Sequence, residues 1–84
     1  MSHNDIREEV LSILTTIAPE VDEGGIRDEL PLRDQVDLDS VDWLTFLVGI
    51  HKRLGVDIPE KDYSSLRTLA DVVGYVNHHT VQHN

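Results

Sequence analysis

The chain has 84 residues, with 16 Asp or Glu against 7 Lys or Arg, a formal charge of −9 and no cysteine. A chain this short folds around one small core, burying roughly 60% of the surface its unfolded form exposes, so an enzyme with a large enclosed active site is not expected. The absent cysteine excludes a disulfide framework, a thiol nucleophile and a cysteine zinc site. The charge argues against binding nucleic-acid phosphates or an anionic membrane surface and favours partners with basic patches.

In chain order, the first element is a helix. Ile6, Val10, Ile13, Leu14 and Ile17 recur as one helical stripe. Asn4 or Asp5 can cap it, Asp5 with Glu8 resembles a capping box, and Pro19 ends it because the residue before proline avoids the α region. Residues 19–38 read as a long connection, broken by Gly24-Gly25 and Pro31. Its apolar residues Ile26, Leu30, Leu32, Val36 and Leu38 are expected to pack on the core.

A second main helix is expected from about Asp39 to Leu54, with Asp39 and Asp42 as its capping pair and Gly55 as terminator. Phe46, Ile50 and Leu54 form one apolar stripe, and Val41, Leu44, Leu47 and Val48 form another. Such a helix is either central or touches something outside the bundle. Residues 60–64 leave room for one helical turn. A last helix starts at Thr68, with Asp71 completing a second capping box, and turns Leu69, Val72, Val73 and Val76 inward before ending near His78.

No alternating strand pattern appears. The fold class is therefore all-α: a small four-helix bundle of three main helices plus one short helix. One domain is expected over 1–84, with an ordered core at about 5–77 and a flexible tail at 80–84. No stretch approaches the ~20 apolar residues of a membrane helix. The opening residues show no signal peptide, which makes the cytoplasm the expected location.

The charge is concentrated. Residues 1–42 hold 12 acidic residues against 3 basic ones, while residues 43–84 hold 4 of each. A solvated face is the commoner role for such a run, and a docking field for a basic partner is the functional one. Catalytic and metal motifs are missing. His79 and His83 stand at i, i+4 beside His78, without an evident third ligand. Asp37, Asp39 and Asp42 fail the calcium-loop template, because Val41 and Asp42 fall where it requires an acidic or amide residue and glycine. Ser40 remains, at the end of a long loop and the start of a helix, where its hydroxyl should reach solvent and a phosphate is tolerated. Taken alone, Asp39-Ser40 is better read as a plain capped helix start.

The run Asp37-Leu38-Asp39-Ser40-Val41-Asp42 resembles the Asp-Ser-Leu attachment motif of acyl carrier proteins, with valine for leucine. Phe46, Ile50, Leu54, Ile58-Pro59-Glu60, Leu66, Leu69, Tyr75 and Val76 follow at that family's spacing, and the opening helix also fits. The resemblance covers residues 5–77. It implies that Ser40 carries a 4′-phosphopantetheine arm, transferred from coenzyme A by a separate magnesium-dependent phosphopantetheinyl transferase whose metal site Asp39 assists. The arm's thiol would hold acyl groups as thioesters, and the chain would catalyse nothing itself. It would act as a monomer that presents its cargo to acyl-loading, condensing and acyl-transfer enzymes. Val41 and Val48 match partner-contact positions, Trp43 and Leu44 lie near the mouth of an acyl pocket, and Leu44 and Leu47 fit plain core packing equally well. The family's acidic second helix is replaced by Thr45, His51 and Lys52, followed by Arg53, which implies a specialised carrier. An aminoacyl or peptidyl carrier and an unmodified helical interaction module are the alternatives.

Overall fold

The structure, a computed structural model, describes residues 3–81. Its α-helices are α1 (His3–Ile17), α2 (Leu32–Gln35), α3 (Ser40–Leu54) and α4 (Leu69–Val81), with 3₁₀ turns at Glu23–Gly25 and Glu60–Ser65. No strand occurs among the described residues; an isolated bridge joins Pro31 and Thr68.

Helix α1 buries Ile6, Val10, Leu11, Ile13 and Leu14 and packs against both α3 and α4. It already includes Asn4 and Asp5, so neither stands at the position before its first residue, and its first residues adjoin those outside the described range. At the other end Ala18 N still donates to Leu14 O at 2.9 Å before Pro19 closes the turn. The approach of α3 is close: a Cβ on Gly49 would lie 2.9 Å from Ile13 Cγ2. Phe46, Ile50, Trp43 and Leu47 supply the buried side of α3, while Leu54 is half-buried.

The 19–38 connection packs as expected through Ile26, Leu32, Val36 and Leu38, but Leu30 is exposed. It also holds the short helix α2, which its sequence pattern did not reveal because four residues after a proline carry no period. Gln35 ties this segment together, donating from Nε2 to Arg27 O at 2.8 Å and Leu30 O at 2.9 Å and accepting from Arg27 N at 2.7 Å. Arg7 joins it to α1 through a two-pronged pairing with Asp28, Nη2 donating to Oδ1 at 2.8 Å and Nε to Oδ2 at 3.0 Å. Asp28 accordingly raises the Arg7 pKa further.

Helix α4 opens on the expected capping box: Asp71 N donates to Thr68 Oγ1 at 3.0 Å, and Thr68 N donates to Asp71 Oδ2 at 3.1 Å. It runs on to Val81, past the expected end near His78, and residues 82–84 of the expected tail lie outside the described residues. The one-turn element at 60–64 is a 3₁₀ turn. Tyr75 of α4 fastens it by donating from its hydroxyl to Asp62 Oδ2 at 2.8 Å.

Candidate functional site

The start of α3 is built by reciprocal hydrogen bonds. Asp39, extended at φ −82° and ψ −178°, accepts at Oδ1 from Asp42 N at 2.8 Å, and Asp42 Oδ2 accepts from Asp39 N at 3.4 Å. This box satisfies backbone groups that a helix start otherwise leaves open. Ser40 is the first helical residue and is exposed. Buried Leu38 before it and buried Trp43 after it fix the backbone on both sides. The hydroxyl therefore stands at the positive end of a 15-residue helix, flanked by the exposed carboxylates of Asp37 and Asp39.

The structure divides the five candidate residues around Ser40 into two groups. Val41 is 69% exposed, and Leu44 and Val48 are each 46% exposed. At i, i+3 and i+7 they form one continuous outward stripe. Trp43 at 8% and Leu47 at 2% point into the fold. The core alternative for Leu44 thus fails, and that for Leu47 holds. The surplus apolar side of α3 is mostly an outward face, whereas α1 is the helix packed between two others.

Trp43 packs its ring on Phe46, with centroids 5.2 Å apart. It also lines a cleft of about 530 Å³ with Leu38, Tyr63, Leu66, Arg33 and Arg67. A smaller cavity of about 190 Å³ lies beside Leu47 and Val48, lined also by Ile58 and Tyr63. Arg33, Tyr63 and Arg67 did not emerge from sequence patterning. They come from α2, the 3₁₀ turn at Glu60–Ser65 and the segment after it, and a tertiary link brings the Arg33 and Arg67 segments together: Leu32 N donates to Arg67 O at 2.8 Å.

The histidines at the C-terminal end of α4 have a packing role. The His79 ring lies 4.2 Å from that of Tyr75 and 5.5 Å from that of His78. His83, the other half of the i, i+4 pair, lies outside the described residues. The basic run at the end of α3 also divides. Arg53 Nε pairs with Glu9 Oε2 of α1 at 2.7 Å, leaving Thr45, His51 and Lys52 as exposed positions that do not share that pairing.

Residues 5–76 match the family model described as "Phosphopantetheine attachment site". The chain belongs to this acyl carrier family. Relatives agree over most of its length. The acyl carrier protein of Micrococcus luteus is 30% identical over 84% of this chain and 91% of its own. That of Myxococcus xanthus is 30% identical over 83% and 92%. The meromycolate extension acyl carrier protein of Mycolicibacterium smegmatis is 33% identical over 83% and 74%. An Enterococcus faecalis acyl carrier protein structure shares the fold, with a TM-score of 0.73 at 17% identity, covering 94% of this chain and 99% of that one.

The function of this family member is acyl carriage on 4′-phosphopantetheine, in exchange with biosynthetic enzymes. Such an arm requires a solvent-open hydroxyl, and the exposed Ser40 at the start of α3 meets that requirement. The arm's thiol supplies the sulfur that a chain without cysteine lacks. No helix among the described residues is long and apolar enough to cross a membrane.

Proposed function

We propose that Ser40 is the residue that carries the arm, and that the chain is a non-catalytic, monomeric carrier domain over 1–84 working in the cytoplasm. The observation that carries this reading is the exposure of Ser40 as the first residue of α3, on a backbone fixed by the Asp39–Asp42 box and by buried Leu38 and Trp43. A phosphodiester there meets the helix's open N–H groups and its positive end. Asp39 uses one carboxylate oxygen for the cap, and its exposed carboxylate assists the metal site of the phosphopantetheinyl transferase.

Val41, Leu44 and Val48 form the apolar contact surface for acyl-loading, condensing and acyl-transfer enzymes. Trp43 and Leu47 border the two cavities beside α3 that receive cargo. With Thr45, His51 and Lys52 exposed on that helix, the carrier serves a specialised lipid-forming pathway whose enzymes have docking surfaces less basic than usual. The test is incubation of the full chain with coenzyme A and a broad-specificity transferase, followed by intact mass. The unaltered chain gains one arm and Ser40→Ala gains none; an equal gain in both refutes the assignment.

A further inference from the structure

The chain has five arginines, at 7, 27, 33, 53 and 67. Three pair with carboxylates: Arg7 with Asp28, Arg27 with Glu29 and Arg53 with Glu9. Among the described residues, neither the Arg33 nor the Arg67 guanidinium forms an ion pair with a carboxylate, although Arg67 N donates to Asp71 Oδ2 at 3.2 Å, and both residues line the cleft of about 530 Å³ that Trp43 borders. That distribution is unexpected in a chain where acidic residues outnumber basic ones 16 to 7.

The backbone holds the two arginines at this cleft although 34 positions separate them. Leu32, the neighbour of Arg33, donates its N–H to Arg67 O at 2.8 Å, and Pro31 bridges Thr68. Arg33 Nε donates to Leu38 O at 3.3 Å, which anchors its guanidinium on the segment leading to Ser40 and leaves its terminal nitrogens for another acceptor. Leu38, Trp43 and Leu66 form the apolar part of the wall. Asp34 lines the cleft too, so its charged lining is two cations against one anion. Trp43 is one helical turn from Ser40 on the same side of α3.

We infer that this cleft binds the far end of a cargo that terminates in a carboxylate, an ω-carboxyacyl group, with Arg33 and Arg67 as its anion-binding residues. The inference rests on the Ser40 reading, which places the tether in the chain between Leu38 and Trp43, two residues of the cleft wall. A methyl-terminated chain would contact the apolar wall and leave the two cations of the cleft with Asp34 as their one anion. A carboxylate gains charge-assisted hydrogen bonds from guanidinium forks suited to it. The arm's own phosphodiester is common to every cargo and cannot discriminate between them.

The experiment loads the full chain with adipoyl- or hexanoyl-phosphopantetheine, two cargoes of equal carbon number, and identifies the loaded serine by mass. Loading elsewhere than Ser40 overturns the Ser40 reading and this inference together. With Ser40 loaded, the adipoyl form is expected to melt about 4 °C above the hexanoyl form. It is also expected to change the emission of Trp43, the chain's one tryptophan. Arg33→Gln with Arg67→Gln should erase the difference while the unloaded variant keeps its helix signal. Should that variant not fold, the unaltered chain still decides: the adipoyl advantage must shrink between 0.01 and 1 M salt, as the screening length falls from about 30 to 3 Å. Equal melting of the two cargoes, or an advantage that survives the double substitution or is unmoved by salt, overturns the inference and leaves the Ser40 reading standing.

Discussion

Arg53 Nε lies 2.7 Å from Glu9 Oε2, so the last turn of α3 is pinned to α1 by an ion pair. The basic run that ends α3 therefore has two roles. Arg53 is partly committed within the bundle, and Lys52 and His51 are exposed. Arg53→Gln should lower stability by about 0.5 kcal/mol, the scale of a half-exposed pair, measured by urea unfolding. Thr45→Glu, His51→Glu and Lys52→Glu together should lower stability by about 1 kcal/mol, because His51 Nδ1 loses its 3.2 Å contact with Val56 O and carboxylates replace basic groups at the negative end of α3, while the fold is kept. They should improve turnover of the malonyl-loaded chain by a housekeeping ketosynthase, with the gain largest at low salt.

Substitutions on the outward apolar stripe should separate folding from docking. Val41→Asp and Val48→Asp change positions that are 69% and 46% exposed. Each should shift stability by no more than about 0.5 kcal/mol while weakening association with partner enzymes severalfold. Titration calorimetry against the cognate enzyme, alongside thermal melts, checks both halves.

Two glycines in helices should respond oppositely to alanine. At Gly74 a Cβ meets nothing within 4 Å, so Gly74→Ala should stabilise by about 0.5–1 kcal/mol through helix propensity. At Gly49 the Cβ would lie 2.9 Å from Ile13 Cγ2, and overpacking of about 1–3 kcal/mol outweighs that gain. Gly49→Ala should therefore destabilise, and a pair of denaturation curves decides the sign.

Tyr75 gives the fold a dependence on alkaline pH. Burial and the hydrogen bond to Asp62 push its hydroxyl from 10 up to about 12. The unfolded chain loses this proton first, so the contribution is intact below pH 10 and is lost as pH rises towards 12. Tyr75→Phe should cost about 1 kcal/mol at neutral pH and flatten the stability profile between pH 10 and 12.

The sequence was most informative where a period or a cap acts locally. The stripe of α1, the Asp39–Asp42 and Thr68–Asp71 boxes and the Gly55 terminator, left-handed at φ 70°, all follow from neighbours within one or two turns. The same holds for Ser40, whose exposure follows from being the first residue after a cap. Features made by distant partners were not legible. Leu30 and Leu44 are as apolar as Leu32 and Leu47, and tertiary packing alone decides which pair is covered. The Arg33–Arg67 cleft depends on the hydrogen bond from Leu32 to Arg67, across residues with no shared pattern.

The central claim is the identity of the modified residue, and fragment mass spectrometry of the treated chain tests it most directly. Digestion after reaction with coenzyme A and transferase should yield one arm-bearing peptide, and fragmentation should place the added mass on Ser40. An arm found on Ser64 or Ser65, or no arm on any serine, would contradict the account.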